Sequence, residues 1–444
     1  MKSFEWAARK ISLKMSRRDF LEKLSKLQLR FYMYNLPRLK LEGCKDKNVS
    51  FSDPENLDFL GTDAQVERLI LCTLQRHPLR TLEPSEADLF VIPISPASLR
   101  LKYINSTEDQ ERFYTQAFGA LTRHEIFRST YGSRHIIVSL WYAHFEHRFR
   151  RIHPYNDDAI FNFYDRLWNV TVADCKSRTG IEKLYQVGKY SDFMQFFDYE
   201  RIRTTRSSFS VGMIPSENIP LLTPTLEKFN GARYFLFYHT RPSKFWSPKS
   251  DSFRKAALNK TIVQGLPTSS IGYDVSSSTW RRRMASSKFC LVVRGDDPGS
   301  HGLYRSVKAG CIPVVISDAY PEYSPAIPSL LNITDYSIFL PESSFIENPL
   351  RELLKLADLP ESLIAEKLNA LARVQQVVLP DHPRSLFVPA FLWEATKAID
   401  EQLPYETHQE YKKWLGCANA TSIFHKKNHR YCIEKRSRGF RNKA

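Results

Sequence analysis

Apolar and polar positions along the 444-residue chain follow two alternating patterns. Short apolar runs, typical of strands buried in a sheet, are separated by longer segments in which apolar side chains recur at helical spacing. The first half contains three such strands and two such helices. The strands are predicted at 29–35, 87–94 and 134–140, and the helices at 63–73 and 108–127. This alternation of strand and helix predicts an α/β layer fold.

A proline-rich stretch at 211–231 shows neither pattern, and we interpret it as the linker between two domains. The pattern then restarts. Strands are predicted at 232–238, 288–293 and 312–316, and helices at 250–259, 276–287 and 350–377, the last broken near Pro360. We expect an N-terminal domain at 29–225 and a C-terminal domain at 226–400. They are flanked by a basic amphipathic helix or stem at 1–28 and a basic tail at 401–444.

The chain is strongly basic, with a formal net charge of +16. A basic surface attracts nucleic acid, anionic polysaccharide, phosphorylated small molecules and membranes alike, so the charge does not choose among these partners. Part of it lies in runs of Lys and Arg at the two ends, which we interpret as solvated tails. The chain contains no recognised nucleic-acid motif, and we expect no nucleic-acid partner.

Six Asn-x-Ser/Thr sequons, where about two would arise by chance, favour folding in the secretory lumen. The seven cysteines leave the redox compartment open. Cys417 and Cys432 could form a bridge or remain two free thiols. No CxxC spacing occurs, so a zinc or redox site is not expected.

The first residues show neither a signal peptide nor an apolar run of the ~20 residues that a membrane span needs. Membrane association is expected only through an anchor that this chain does not show. A luminal protein needs an entry signal. Either the start of the natural chain lies outside this sequence or the luminal interpretation is wrong.

The segment at 288–317 has the order strand, polar loop, helix, strand. In such units a ligand binds at the carboxyl end of the strand, where the helix N-terminus favours a phosphate. Arg294 offers a planar charge suited to a diphosphate, and Ser300 and His301 offer hydrogen-bonding groups. Glycines at 295, 299 and 302 allow close approach of the backbone. The alternative is an ordinary turn with a surface arginine. Asp296 and Asp297 lack further ligands nearby, so no metal is expected.

The same segment resembles the exostosin-type glycosyltransferases, glycosyltransferase family 47. The family carries a pattern of the form M..SKFCL, then a glycine, then R..EA and GCIPV, ending in an aspartate. Matching positions here are Met284, Ser287, Lys288, Phe289, Cys290, Leu291, Arg294, Gly295, Ser300, Ala309, Gly310, Cys311, Ile312, Pro313, Val314 and Asp318. Weaker likenesses extend over roughly 29–400.

The resemblance implies a GT-B fold, with two Rossmann-like domains facing across a cleft. It implies transfer of a sugar, with inversion and without a bound metal or other cofactor, from a nucleotide diphosphate sugar such as a UDP-sugar to a glycan acceptor. It also implies the Golgi lumen and a glycosyltransferase hetero-complex as a further partner. Donor binding is implied for Arg294, Gly295 and Ser300, and more weakly for Arg241 and Arg254, each of which could equally be a solvated arginine.

Two positions depart from the family pattern. Where the family usually has an arginine this chain has Gly302, and where it usually has a glutamate suited to the ribose hydroxyls this chain has Arg305. An arginine cannot accept the hydrogen bonds that a carboxylate accepts. Either Arg305 and His301 take over the diphosphate charge in a rewired site, or the donor site is inactive and the protein is a non-catalytic, glycan-binding or complex-forming partner.

Inversion also requires a general base for the acceptor hydroxyl. Trp141 and Tyr142 stand where the family often has His-Asp. His144, with Glu146 and His147 nearby, is the candidate base; the alternative is a set of surface histidines.

Overall fold

The computed structural model describes residues 19–35, 44, 59–102, 106–130, 132–140, 163–164, 166–167, 169–187, 207–215, 219–240, 248–272, 278–295 and 298–401. These residues form two sheets, one of six strands and one of five, in which all paired strands are parallel. Parallel sheets need crossover connections, and helices supply them here. The predicted α/β class with two Rossmann-like units of the GT-B type is confirmed.

The first sheet has the strand order β2-β1-β3-β4-β5-β6. Its strands are β1 (Phe31–Met33), β2 (Arg80–Thr81), β3 (Leu89–Ile92), β4 (His135–Val138), β5 (Thr171–Asp174) and β6 (Ser208–Ser210). The helices described in this half are α1 (Phe20–Ser25), α2 (Phe59–Arg76), α3 (Pro96–Lys102), α4 (Thr107–Arg123), α5 (Glu125–Thr130) and α6 (Arg178–Val187).

The second sheet has the order β11-β10-β9-β7-β8. Its strands are β7 (Tyr234–His239), β8 (Ser270–Gly272), β9 (Ser287–Val293), β10 (Ile312–Ile316) and β11 (Ile338–Phe339). Both sheets follow one rule: the second strand lies on one side of the first, and the third lies on the other. The order in which strands are added therefore reverses beside the first strand of each sheet. Open α/β sheets bind ligands at this reversal.

The helices of the second half flank the second sheet, and the last of them return to the first sheet. They are α7 (Leu226–Asn230), α8 (Pro248–Ala257), α9 (Lys260–Gly265), α10 (Ser278–Ala285), α11 (Gly302–Ala309), α12 (Tyr320–Tyr323), α13 (Ile333–Tyr336), α14 (Glu342–Glu347), α15 (Pro349–Leu354), α16 (Glu361–Val378) and α17 (Phe387–Asp400). The final helix, α17, packs on β5 and β6 of the first sheet. One hydrophobic core therefore joins the first sheet to α16 and α17, while a second core surrounds β9 and β10.

The strands predicted from apolar runs are all present in the structure. The predicted helix at 108–127 divides into α4 and α5 because His124 adopts an extended backbone. Ser106 caps the start of α4 by accepting a hydrogen bond from the Asp109 N–H at 3.2 Å. The α1 helix agrees with the amphipathic pattern predicted near the start, since Phe20 and Leu24 are buried. Residues 1–18 and 402–444, including Cys417 and Cys432, lie outside the described residues.

A buried histidine fixes the middle of the first sheet. His135 Nδ1 lies 3.0 Å from the Ser133 carbonyl oxygen, and Nε2 lies 2.6 Å from the Tyr34 hydroxyl. A carbonyl oxygen only accepts, so Nδ1 carries the proton and Nε2 accepts from Tyr34. Burial lowers the pKa of His135 to about 3, which keeps the ring neutral.

Backbone hydrogen bonds join the two halves directly. The Ser177 N–H donates to the Tyr323 carbonyl at 2.8 Å, and the Ile327 N–H donates to the Ser210 carbonyl at 2.8 Å. The stretch after β6, predicted as a linker, belongs to this contact, since Val211, Met213 and Ile214 are buried. The connection between the sheets is therefore a packed part of the core.

Two glycines allow the halves to approach this closely. A Cβ on Gly180 would lie 1.6 Å from the carbonyl oxygen of Glu322. Gly212 has a φ of +75° and lies against the ring of Tyr304. Larger residues would overlap with atoms of the opposite half.

Two disulfides lie among the described residues, Cys44–Cys72 and Cys290–Cys311, with sequence separations of 28 and 21. Loops of this size give about 3 kcal/mol of stabilisation each in the chain-entropy model. Neither pairing follows from the sequence. No helix among the described residues combines the length and the apolar character needed to cross a membrane.

Replacing Gly180 by alanine should destabilise the protein, because the new methyl group meets a backbone atom that cannot rotate away. We expect a loss of about 2 kcal/mol, typical of an overpacked contact, measured as a lower Tm. Gly231→Ala is the matched control, since its nearest neighbouring atom is 3.4 Å from the added Cβ and its φ is negative. Equal Tm values for the two variants would contradict the close contact between the halves.

Glu394 on α17 should make stability depend on pH. Its carboxylate accepts hydrogen bonds from the N–H and hydroxyl of Ser329, yet burial raises its pKa from 4.5 to about 7. A raised folded pKa means that stability is fully present below pH 4.5 and is lost as pH rises to about 7. Glutamine does not ionise, so Glu394→Gln does not lose stability in this way. The Tm of the variant minus the Tm of the wild type should therefore increase as pH rises from 4.5 to about 7. A constant Tm difference would show that the carboxyl does not titrate there.

Candidate functional site

The carboxyl ends of β7, β9 and β10 form the edge of the second sheet where the sequence predicted a phosphate site. His239 ends β7, and its Nε2 lies 3.0 Å from the hydroxyl of Ser270, the first residue of β8. The reversal of strand order lies between β7 and β9. The loop that follows β9 therefore stands at the position where such sheets bind ligands.

The loop after β9 is held by the segment that follows β10. The Gly295 N–H donates to the Gly299 carbonyl at 3.3 Å, which ties the end of β9 to the second part of the loop. The Ser317 hydroxyl donates to the Pro298 carbonyl at 2.9 Å, and the Tyr320 hydroxyl donates to the Ser300 carbonyl at 3.2 Å. Asp296 and Asp297 lie outside the described residues. The loop is thus positioned by two neighbouring structural elements.

The α11 helix begins directly after this loop. The Ser300 hydroxyl accepts a hydrogen bond at 3.2 Å from the N–H of Gly302, the first residue of the helix. His301 is half-buried beside it. A Cβ on Gly302 would meet the Ser300 hydroxyl at 3.2 Å and no backbone atom, and its φ lies outside the left-handed region. The backbone therefore does not demand glycine at this position.

Arg305 lies one turn into α11, with its guanidinium carbon 5.9 Å from the centre of the Trp280 ring. Arg281 approaches the same ring at 5.7 Å. Trp280 is largely buried and packs with Met284 and the Cys290–Cys311 bridge. The indole thus holds two positive charges, one of which, Arg305, stands where the family pattern usually has a carboxylate. Two neighbouring positive charges favour an anion.

Arg294 occupies a different environment from the one predicted. Its side chain is 0% exposed, and its Nη1 lies 3.6 Å from Glu342 Oε2. The ring of Phe253 on α8 lies 5.9 Å from the guanidinium carbon. The structure therefore surrounds Arg294 with protein atoms instead of presenting it on the loop surface.

The remaining predicted residues divide into two groups. Arg254 follows Phe253 on α8 and is half-buried near this edge of the sheet. Arg241 and His144 lie outside the described residues, so their roles stay predictions. No group of three or more His, Cys, Asp or Glu side chains suited to a metal occurs in the part of the chain that is described.

Sequence reasoning missed Glu342, which is 48 positions from Arg294 and follows no spacing signal. It also missed Glu67, a buried carboxylate at the corresponding edge of the first sheet. Glu67 accepts hydrogen bonds from the Ser95 hydroxyl, the Ala97 N–H and the Leu140 N–H at 2.7, 3.0 and 2.9 Å. It thereby joins the segments that follow β3 and β4. Its position on the buried face of α2, with Ile70, Leu71 and Leu74, was the signal available in the sequence.

Two buried carboxyl groups lie at this first edge. Burial raises the pKa of Glu67 to about 7. Burial also raises the pKa of Asp174, at the end of β5, to about 6, an effect that the nearby charge of Lys176 opposes. Both groups are enclosed by protein, so they support the loops of this edge and do not themselves line a surface.

Comparison with known proteins gives one family. The model of the exostosin GT47 domain matches residues 25–355. The xyloglucan galactosyltransferase MUR3 from Arabidopsis thaliana is 31% identical over 103 residues, which is 22% of this chain and 16% of MUR3. The aligned part therefore spans about one-sixth of that relative's length.

Among solved structures, the GtfA/B complex is similar at 11% identity and a TM-score of 0.33, over 76% of this chain and 61% of the matched chain. A protein from Listeria monocytogenes described as a UDP-N-acetylglucosamine 2-epimerase is similar at 11% identity and a TM-score of 0.28, over 78% of this chain and 95% of that chain.

Proposed function

This chain belongs to the exostosin GT47 family, and from that premise we propose that it is an inverting, metal-independent glycosyltransferase that moves a sugar from a UDP-sugar to a glycan acceptor. The observation that carries the proposal is the held loop between β9 and α11, at the strand reversal of the second sheet. A helix start at this place suits the diphosphate of a nucleotide sugar.

The departing nucleotide diphosphate gains negative charge as the bond to the sugar breaks, so the reaction needs nearby positive charge. In this proposal the start of α11 provides it together with His301 and Arg305. Two observations support that assignment: both residues are only half-buried, and Arg305 is held over Trp280. Ser300 accepts a hydrogen bond from the first residue of the helix, and Gly295 ties the end of β9 to the loop before it.

The acceptor side of the reaction needs a base that removes the proton of the attacking hydroxyl. We propose His144 for this role. In the sequence it follows the last residue of β4 by six positions, and open α/β sheets bind ligands beyond the carboxyl ends of their strands. Glu67 supports the proposal indirectly, because it fixes Leu140 just before this segment.

A second candidate function is a non-catalytic partner that binds glycan or joins another glycosyltransferase in a complex. The observation that favours it is the pair of substitutions at Gly302 and Arg305. The φ of Gly302 lies outside the left-handed region, so the backbone conformation itself does not require the glycine that replaces the family's arginine.

We place the protein in the secretory lumen, in the Golgi. The disulfides Cys44–Cys72 and Cys290–Cys311 support an oxidising compartment. Among the sequon asparagines that the structure describes, Asn259 is exposed, Asn332 is half-buried and Asn169 is buried. Asn259 therefore best supports the glycoprotein part of this proposal.

Incubation of the purified protein with a panel of UDP- and GDP-sugars should give hydrolysis or transfer with at least one of them. A bound donor should also raise the Tm, because it binds the folded state alone. A Tm shift without turnover would favour the non-catalytic partner. The enzyme proposal fails if no sugar nucleotide is turned over and none shifts the Tm.

Arg305→Ala should weaken UDP binding by about tenfold, the loss expected for one charge-assisted contact to a phosphate. Isothermal titration with UDP and with uridine checks this, because uridine lacks the phosphates and should be unaffected. The matched control is Arg282→Ala, which removes an exposed arginine of α10 that has no assigned place in the site. A similar loss in the control, or an equal loss of uridine binding, would exclude a diphosphate contact by Arg305.

A further inference from the structure

The predicted diphosphate ligand Arg294 is enclosed by protein. Its side chain is 0% exposed, with Glu342 3.6 Å away and the Phe253 ring 5.9 Å away. A ligand that approaches from solvent cannot contact this guanidinium unless the side chain leaves its place. An enclosed charge of this kind is stabilised by its partner, and removal of the partner is strongly unfavourable.

Glu342 does more than pair with Arg294. Its Oε1 accepts a hydrogen bond from the Asp318 N–H at 3.2 Å, while its own N–H donates to Asp318 Oδ1 at 3.0 Å. These reciprocal bonds tie the start of α14 to the residues that follow β10. One side chain therefore connects the end of β9, through Arg294, with the end of β10, through Asp318.

The ends of β9 and β10 are the two supports of the loop before α11. The Arg294 N–H donates to the Ile316 carbonyl at 3.2 Å. Ser317, which precedes Asp318, holds the loop through the Pro298 carbonyl. A shift of either strand end would move Gly295 and the helix start at Gly302.

We propose that Glu342 is a positioning residue for donor binding, which holds Arg294 and Asp318 and thereby fixes Gly295 and residues 298–301 before α11. Arg294 then acts through the loop and does not contact the diphosphate. This inference rests on the proposed function only for the identity of the ligand. The positioning of the loop can be measured without any ligand.

The two roles of Arg294 predict opposite effects of Glu342. If Arg294 contacts the diphosphate directly, Glu342 competes for its charge, and removal of the carboxylate strengthens UDP binding. If Glu342 positions the loop, removal of the carboxylate weakens UDP binding. The sign of the change therefore separates the two roles.

The test uses Glu342→Gln, which keeps the shape of the side chain and removes its charge. Glu394→Gln is the matched control, because Glu394 is an equally buried carboxylate in the same half but lies on α17. Isothermal titration measures the affinity for UDP. Hydrogen–deuterium exchange measures the peptide that covers residues 294–302, in the protein without ligand.

We expect Glu342→Gln to weaken UDP binding by about tenfold, the lower end of the effect of residues that hold direct ligands in place. We also expect faster hydrogen exchange in this peptide. Glu394→Gln should change neither. Stronger UDP binding in Glu342→Gln, or unchanged exchange in the peptide, overturns the proposal. If the wild type binds no UDP, the proposed function fails and the exchange experiment alone decides the role of Glu342. If Glu342→Gln does not fold, Glu342→Asp is tested instead, because aspartate keeps the charge on a shorter side chain. It should also weaken UDP binding and speed exchange in the peptide, but by less.

Discussion

The enclosed charge of Arg294 is the constraint on which the second half of the molecule depends. A guanidinium without contact to water needs a partner. The fold supplies Glu342, the first residue of α14, which follows β11. That requirement draws the ends of β9 and β10 together with the start of α14. The loop toward α11, which carries the candidate ligand-binding groups, is built on these three ends. Its geometry is therefore a consequence of how one buried charge is satisfied.

The first half depends on the second in a comparable way. Two backbone hydrogen bonds cross between the halves: Ser177 donates to Tyr323, and Ile327 donates to Ser210. Gly180 and Gly212 leave the space for that approach. The α17 helix then covers the far strands of the first sheet. The relation between the two halves is thus set by close packing, with the stretch after β6 as part of the core.

Much of the fold could be predicted because its central strands are buried on both faces. The runs that became β3, β4, β9 and β10 consist mainly of consecutive apolar residues, so the sequence marks them without reference to neighbours. The strand β5 (TVAD) was not predicted, since only Val172 and Ala173 are apolar and a carboxylate follows them. Its burial comes from β4, β6 and α17, none of which is adjacent to it in the sequence. Short strands of this kind are defined by their partners.

The sequence by itself determined the fold class and the family of the protein, and the position of its candidate site along the chain. The motif from Met284 to Asp318 identifies the family, and its glycines and helix start place the loop at a sheet edge. It also determined that Gly302 and Arg305 depart from the family pattern. Only the tertiary structure decided that Arg294 is enclosed, that Arg305 lies over Trp280, and that Glu342 and Glu67 support the two edges. The physical reason is that the accessibility of a charge and the choice of its partner depend on residues far away in the chain, which only folding brings into contact.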